Sequence, residues 1–227
     1  MFSLRESRRG IIKLAIASLI VMFLVDYFIN FNYLEKSLIK VLVFLLIPFF
    51  YSRKNRYIDY RSFFRIGFVK ELLGSLILGL LVYGLIIGTY FFLKDSIDLA
   101  KIETILSSKL RVEKANFLYV ALYISFFNSL LEEIFFRGFV FLGLKKLGST
   151  LNAYIISSFL FAIYHVAIMA NWFSLEIFAL SIVGLFLAGL IFNGLNHKNE
   201  NIYNSWLVHM FANFAINTVG LIMFGII

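Results

Sequence analysis

The sequence has no cysteine, a single proline and few charged residues. Of its 227 residues, 15% are charged and 61% are hydrophobic, whereas a soluble domain is about a quarter charged and nearly half apolar. The lack of cysteine excludes a disulfide framework, a thiolate nucleophile and any zinc site with cysteine ligands. With Pro48 as the one proline, few kinks are forced on long helices. This composition is typical of a polytopic membrane protein.

Positive charge is in excess, and it accompanies a strongly apolar N-terminal run. Lysine and arginine total 21 against 13 aspartates and glutamates, which gives a net charge of +8. In membrane proteins such cations collect on cytoplasmic loops and near anionic headgroups, so we do not expect nucleic acid as a partner. The N-terminal apolar run is longer than a signal-peptide core and no small-residue cleavage site follows it. It therefore predicts a first membrane helix that is retained.

Seven hydrophobic segments approach or exceed the roughly 20 apolar residues that a spanning helix needs. They lie at 11–31, 37–52, 71–93, 117–142, 150–170, 173–193 and 203–226. The second is short and contains Pro48, so we expect it to tilt against the first or to insert only partly. The predicted fold is an all-α, polytopic transmembrane helical bundle of about seven spans, with six or eight as alternatives. We expect one integral-membrane domain over residues 1–227.

Positive residues in alternate loops predict the orientation of the chain. Cations precede the first span and follow the second, fourth and sixth: Arg5, Arg8 and Arg9; Arg53, Lys54, Arg56, Arg61, Arg65 and Lys70; Lys145 and Lys146; Lys198. The loop at 94–116 mixes both signs and is amphipathic enough for a short helix along the outer interface. The positive-inside rule then places the N-terminus in the cytoplasm and the C-terminus outside, in the cell membrane.

Ionisable and amide side chains occur inside three of these spans, where they are costly unless they face the bundle interior in pairs. They are Asn128, Glu132, Glu133 and Arg137 in the fourth span, His165 in the fifth, and His209 and Asn213 in the seventh. At a helical rise of about 1.5 Å per residue, Glu132, His165 and His209 lie roughly 15–22 Å from the cytoplasmic ends of their helices. Three helices thus bring polar groups to a similar depth, which predicts one common site.

The spacing of charged residues in the fourth span predicts different roles for its two carboxylates. Glu132 and Glu133 are adjacent, so they point about 100° apart on a helix. Glu133 and Arg137 have the favourable i, i+4 spacing with the carboxylate first. We therefore expect Arg137 to neutralise Glu133 and Glu132 to be left for chemistry. His209 and Asn213 are also i, i+4 and share a helix face.

Three other residues receive simpler interpretations from the sequence. Asp26, near the outer end of the first span, is interpreted as interfacial. His197, in "NHKNEN", is interpreted as a solvated loop residue. Phe161 is interpreted as packing, at most a wall of the cavity.

A carboxylate, two imidazoles and an amide are a credible set of groups for a hydrolase, and they could act in two ways. In the first, Glu132 acts as a general base on water, a histidine orients that water, and His209 and Asn213 donate hydrogen bonds to the oxyanion. In the second, Glu132, His165 and His209 hold a catalytic Zn²⁺ that keeps an open position for water. The sequence contains no HExxH pattern and does not choose between the two.

Three motifs resemble those of the CAAX protease and bacteriocin-processing family, also called the Abi family of intramembrane proteases. "EEIFFR" at 132–137 is similar to the family's EExxxR motif, "FAIYH" at 161–165 to its FxxxH motif, and "HMFAN" at 209–213 to its HxxxN motif. They occur in the family's order. The resemblance covers about 115–220, which it identifies as the catalytic core, and the first hundred residues match only as membrane helices.

The resemblance implies an integral-membrane endopeptidase with its site in a cavity open towards the cytoplasm. It implies Glu132 as the base that activates water, with Glu133 and Arg137 completing that motif. It places His165 at the histidine of the second motif and makes His209 and Asn213 the oxyanion pair. The implied partners are the lipid bilayer and a membrane-associated protein or peptide substrate. The family leaves open a metal-free, glutamate-dependent mechanism and a zinc-dependent one.

The cellular role is less sharply implied. Eukaryotic members of the family cleave prenylated CAAX proteins, whereas small bacterial members serve peptide or bacteriocin processing, self-immunity or signalling. The short, phenylalanine-rich chain favours a bacterial role. The alternative is a non-catalytic membrane immunity or scaffold protein, which would keep its function when Glu132 and His165 are replaced. A small transporter with a proton site at Glu132 is disfavoured, because the sequence lacks repeats and paired broken helices.

Overall fold

The structure, a computed structural model, describes residues 2–29, 31–55, 57–65, 69–148 and 150–227. These ranges contain no strand, so the predicted all-α fold is confirmed. The α-helices are α1 Leu4–Phe28, α2 Tyr33–Val41, α3 Ile47–Lys54, α4 Val69–Leu93, α5 Leu99–Leu110, α6 Phe117–Tyr123, α7 Ser129–Glu132, α8 Gly143–Lys146, α9 Thr150–Met169, α10 Leu175–His197 and α11 Tyr203–Met223. Three π-helical segments, Leu42–Leu46, Ile124–Asn128 and Glu133–Leu142, continue the neighbouring α-helices, and Tyr60–Phe64 and Lys94–Ser96 are 3₁₀ turns.

Six helices among the described residues are long and apolar enough to cross a membrane. They are Leu4–Phe28, Lys70–Ser96, Phe117–Lys146, Thr150–Met169, Leu175–His197 and Tyr203–Met223. They correspond to six of the seven predicted spans and make the chain an integral membrane protein. The N-terminal orientation, the cell membrane and the single domain over 1–227 stay predictions, and Arg56, one of the cations used for the orientation, lies outside the described residues.

The seventh predicted span, 37–52, is not among these six helices. It falls within a helical run that α2 and α3 form on either side of the π-helical turn Leu42–Leu46, and charged residues crowd both ends of this run. It nevertheless lies antiparallel to α1. The Ser18 hydroxyl donates to the Val43 carbonyl at 3.2 Å, and Lys36 pairs with Asp26 at 3.5 Å. We call residues 4–54 the N-terminal hairpin.

Polar caps fix where several helices begin. At the start of α1 the Ser3 hydroxyl accepts from the Glu6 amide, and the Glu6 carboxylate accepts from the Ser3 amide. Asn32 and Glu35 form the same reciprocal capping box at α2, which satisfies amides that have no partner inside the helix. Asp98 caps α5. A helix within the 94–116 loop is therefore confirmed, and its place at the outer interface stays a prediction.

The centre of the bundle is Phe117–Lys146, which we call the motif helix. Every residue of its π-helical segment Glu133–Leu142 is buried. Gly138 admits a close neighbour there, because a Cβ on it would lie 2.7 Å from the Phe63 ring. π-Helical turns are rare and often accompany functional sites. The motif helix packs against the N-terminal hairpin, α9, α10 and α11, so its polar side chains face other helices.

Candidate active site

Glu132 lies at the point where four parts of the bundle meet, and its two carboxylate oxygens have different surroundings. The residue is 2% exposed. Oε1 accepts hydrogen bonds from Lys40 Nζ at 3.0 Å and from Asn128 Nδ2 at 2.9 Å. Oε2 is buried and has no hydrogen-bond partner among the described residues. It faces Nε2 of His165 at 3.9 Å and Nε2 of His209 at 3.8 Å.

The other ring nitrogen of each histidine is held by an acceptor. His165 Nδ1 lies 2.8 Å from the Phe161 carbonyl, and His209 Nδ1 lies 2.8 Å from Glu133 Oε1. Since a carbonyl or carboxylate oxygen only accepts, each Nδ1 carries a proton, and in the neutral ring Nε2 then has a free lone pair. Two such lone pairs face Oε2 of Glu132. Because a water molecule has two hydrogens, it can donate to Oε2 of Glu132 and to one of the two Nε2 atoms at the same time.

Glu133 turns away from this point and is fully buried, at 0% exposure. Its carboxylate is 3.3 Å from Arg137 Nη1, the i, i+4 pair that the spacing predicts. It also accepts a hydrogen bond from the Ser205 hydroxyl, and Asn196 Nδ2 donates to the same hydroxyl at 2.6 Å. Glu133 thus balances one charge and fixes the orientation of His209.

Arg137, also at 0% exposure, is held between two aromatic rings. Its guanidinium carbon lies 4.0 Å from the centroid of Phe161 and 4.8 Å from that of Phe192. None of its nitrogens makes a hydrogen bond to a described residue, so Glu133 and the two ring faces stabilise the charge. The Phe161 ring also packs edge-on against His165 at 4.8 Å. Its interpretation as a cavity wall understated this role.

Asn213 lies one turn after His209 on α11. Its Nδ2 donates to the Ile124 carbonyl of the motif helix at 3.2 Å. Within the described residues it makes no hydrogen bond to Glu132, His165 or His209. The structure therefore brings Glu132, Glu133, Arg137, His165 and His209 together and places Asn213 as a link between helices beside them.

The sequence interpretation missed two polar partners of the site. Lys40 was not considered, although it is an ionisable residue inside the predicted second span, which is the signal that identified the other site residues. The sequence did not indicate that Ser205 belongs to the site, because serine is common near the ends of helices.

The interpretation of His197 was wrong, and that of Asp26 was incomplete. His197 is the last residue of α10, with its ring centroid 5.7 Å from that of Tyr154. Asp26 pairs with Lys36, and their side chains are 11% and 12% exposed. Packing with a neighbouring segment decides the surroundings of both residues.

A zinc ion was one of the two alternatives, and the donor types at the site suit it. Ligand atoms of a tetrahedral zinc bound at about 2.0–2.1 Å lie roughly 3.4 Å apart, whereas Oε2 of Glu132 lies 3.8 Å from the nearer Nε2. Among the described residues no three histidine, aspartate or glutamate side chains are grouped to hold a metal ion. The arrangement therefore does not fit a metal, and no step of the proposed reaction passes through one.

The comparison with protein families identifies the segment that contains this site. Residues 114–215 match the family model described as Rce1-like, type II CAAX prenyl endopeptidase Rce1-like. No curated protein and no solved structure matches the chain significantly. The matched segment contains all three motifs and excludes the N-terminal hairpin with Lys40. This match supports the family resemblance that the three motifs predicted.

Proposed function

We propose that the chain is an intramembrane endopeptidase in which Glu132 takes a proton from the attacking water. One observation carries the proposal: Oε2 of Glu132 is buried without a hydrogen bond among the described residues, 3.8 Å and 3.9 Å from two imidazole nitrogens. Buried polar atoms nearly always have a partner. The missing partner of Oε2 is accounted for if this oxygen receives a proton from the attacking water.

The chemistry follows from the lone pairs at the site. A water molecule donates one hydrogen to Oε2 of Glu132 and the other to Nε2 of His165, which leaves its oxygen free to attack the peptide carbonyl carbon. Glu132 takes the proton as the C–O bond forms. The same proton then passes to the nitrogen of the leaving amine as the C–N bond breaks.

The oxyanion needs hydrogen-bond donors, and His209 and Asn213 are the proposed ones. Because Nδ1 of His209 is directed at Glu133, His209 can donate from Nε2 only as an imidazolium. The Glu133 carboxylate at 2.8 Å stabilises that charge. Asn213 has a second amide hydrogen beyond the one given to Ile124. Donors of this kind typically contribute about 10²–10³-fold to the rate.

The proposed substrate is a membrane-associated protein or peptide. Two probes represent the candidate classes. A farnesylated peptide with a C-terminal CAAX sequence represents the class in the family's description. A membrane-active leader peptide represents a bacterial role in bacteriocin or peptide processing, self-immunity or signalling.

The test is cleavage of both probes by the purified protein in liposomes, with and without chelator. We expect wild-type cleavage that chelator does not change, and a loss of about 10²–10⁴-fold in Glu132→Gln, because the amide keeps the shape but cannot accept the proton. Glu113→Gln, at an exposed position before the motif helix, is the matched control.

Three results would contradict this mechanism. If Glu132→Gln cleaves the probes at the wild-type rate, Glu132 is not the base. If chelator abolishes wild-type cleavage and added zinc restores it, the reaction depends on a metal. A wild-type protein that cleaves neither probe, while Glu132→Gln supports the cellular phenotype, would favour the immunity or scaffold role.

A further inference from the structure

Lys40 belongs to the N-terminal hairpin, outside the family match, yet it contacts the proposed base. The residue is 6% exposed. Its ammonium nitrogen lies 3.0 Å from Glu132 Oε1, donates to the Asn128 amide oxygen, and sits 4.8 Å from the centroid of the Tyr164 ring. An ammonium group at membrane depth is costly. Its position beside Glu132 therefore needs an explanation.

The hydrogen bonds of Lys40 make the two oxygens of Glu132 unequal. Oε1 accepts from both Lys40 and Asn128, so its lone pairs are engaged. Oε2 is left to face the two histidines. Because Asn128 also accepts from Lys40, the three side chains form a closed set that resists rotation of the carboxylate. The ammonium group at 3.0 Å makes this a charge-assisted hydrogen bond, which is stronger than a neutral one.

The helix that carries Lys40 is anchored one turn away. The ring of Phe44 stacks on Phe135 with centroids 4.2 Å apart and planes 7° apart. It also packs edge-on against Phe136 at 5.5 Å and against Tyr164 at 5.3 Å. Such contacts each contribute beyond the area they bury. The position of the ammonium group is thus set by a rigid aromatic cluster rather than by the ion pair alone.

We propose that Lys40 is a positioning residue for the reaction at Glu132, which holds Oε1 and the ionised carboxylate so that Oε2 takes the proton from water. The proposal rests on the proposed function of Glu132. It makes the N-terminal hairpin part of the active site as well as a membrane anchor.

Other charged and titratable groups also act on Glu132. They are Asp26 of α1, Tyr33 of α2, Arg137 of the motif helix, Tyr164 and His165 of α9, and His209 of α11. All of them are present in every variant below. A difference between wild type and a Lys40 variant therefore reports the removal of one ammonium group.

The first experiment does not depend on activity. The protein, labelled with ¹³C at its glutamate carboxyl groups and reconstituted in liposomes, is studied by infrared spectroscopy at neutral pH, with Glu132→Gln as the blank that identifies the Glu132 carboxylate band. In Lys40→Met we expect the splitting between the antisymmetric and symmetric carboxylate stretches of Glu132 to change, because Oε1 loses a charged hydrogen-bond donor. Lys36→Met, which removes the neighbouring cation of the same helix, is the control and leaves this splitting unchanged.

The second experiment measures rates on the farnesylated peptide. In Lys40→Met we expect kcat to fall about 10–100-fold while KM changes less than about threefold, as for residues that orient a reacting group. A purely packing role would lower the folded yield and leave both the Glu132 carboxylate band and the kcat of the folded protein unchanged. An unchanged band or an unchanged kcat in Lys40→Met would overturn the proposal.

Lys40→Arg carries the test if Lys40→Met does not accumulate. It keeps the charge but presents a planar group, so we expect kcat to fall at least about tenfold; a wild-type kcat would overturn the positioning role. Glu132→Gln assayed beside these variants separates the two proposals. If Glu132→Gln is still active, the proposed function is wrong. If Glu132→Gln is inactive and Lys40→Met cleaves at the wild-type rate, only the role of Lys40 is wrong.

Discussion

His209 contacts both glutamates of the first motif, with Nδ1 2.8 Å from Glu133 Oε1 and Nε2 3.8 Å from Glu132 Oε2. One imidazole therefore joins a carboxylate that orients it to a carboxylate with a free oxygen. The 100° between adjacent residues of a helix makes this possible. One glutamate faces the histidines and Lys40, and the other faces Arg137 and Ser205.

The two glutamates should differ in what their replacement does to stability. Glu133→Gln leaves Arg137 buried without a counter-charge, and a guanidinium cannot lose its proton. Breaking a buried pair in this way costs about 3–5 kcal/mol. Glu132→Gln leaves Lys40 with its hydrogen bond to Asn128 and its contact with the Tyr164 ring, so we expect a smaller loss. Thermal unfolding in one detergent measures both, and equal melting temperatures would contradict the assignment of Arg137 to Glu133.

Phe161→Leu should destabilise the protein more than Phe141→Leu, which removes another buried phenylalanine ring. Leucine keeps much of the volume but removes the ring face at 4.0 Å from the Arg137 guanidinium, a desolvated contact of about 2 kcal/mol. Phe141→Leu is the control, because Phe141 is equally buried and packs against Tyr154 rather than a cation. The difference between the two unfolding free energies reports the cation–π contact together with the edge-on contact of Phe161 with His165. Equal losses in both variants would contradict a stabilising contact with Arg137.

Gly189 should tolerate no side chain, although Gly184 on the same helix should. A Cβ on Gly189 would lie 2.8 Å from the backbone Cα of Ser158, so α9 would have to move away from α10. Overpacking of this kind costs about 1–3 kcal/mol, and here it would also displace His165. A Cβ on Gly184 meets nothing within 4 Å, and alanine there gains up to about 1 kcal/mol of helix propensity. Melting temperatures and cleavage rates of Gly189→Ala and Gly184→Ala check both statements.

Glu200 should give the folded protein a pH dependence that a glutamine removes. Partial burial raises the pKa of Glu200, but the hydrogen bond from Lys145 and the charge of Lys146 outweigh it and hold this pKa below its ordinary value of 4.5. A lowered pKa in the folded state stabilises above the pKa of the unfolded chain, and the stabilisation is lost as pH falls through the folded value. Melting curves of wild type and Glu200→Gln should therefore diverge above roughly pH 4.5 and converge in stronger acid. Curves that stay parallel throughout would contradict a stabilising interaction of Glu200 with Lys145 and Lys146.

The helices and the level of the polar residues could be predicted from sequence, because both follow from local patterns. Apolar length predicted six of the spans. Counting residues from the helix ends predicted that Glu132, His165 and His209 lie at one depth. In the structure, Nε2 of each histidine lies within 4 Å of Oε2 of Glu132. Helical spacing likewise predicted the pairing of Glu133 with Arg137.

The partners that depend on packing could not be predicted in this way. Lys40 and Glu132 are 92 residues apart, and no local pattern indicates which helices meet. Phe161 is one of 28 phenylalanines, so its place beside Arg137 is invisible without coordinates. The π-helical turns depend on a change of hydrogen-bond register, which the 3.6-residue period of an α-helix does not predict.

The pairing of Lys40 with Glu132 also has a consequence for how the protein is made. Each residue alone raises the free energy of placing its helix in lipid, and 92 residues of synthesis separate them. The N-terminal hairpin leaves the ribosome first and has no counter-charge for its buried lysine until the motif helix follows. We therefore expect the segment 33–54 to settle fully in the bilayer only after residue 132 has been translated, so that membrane insertion and assembly of the proposed active site become one event.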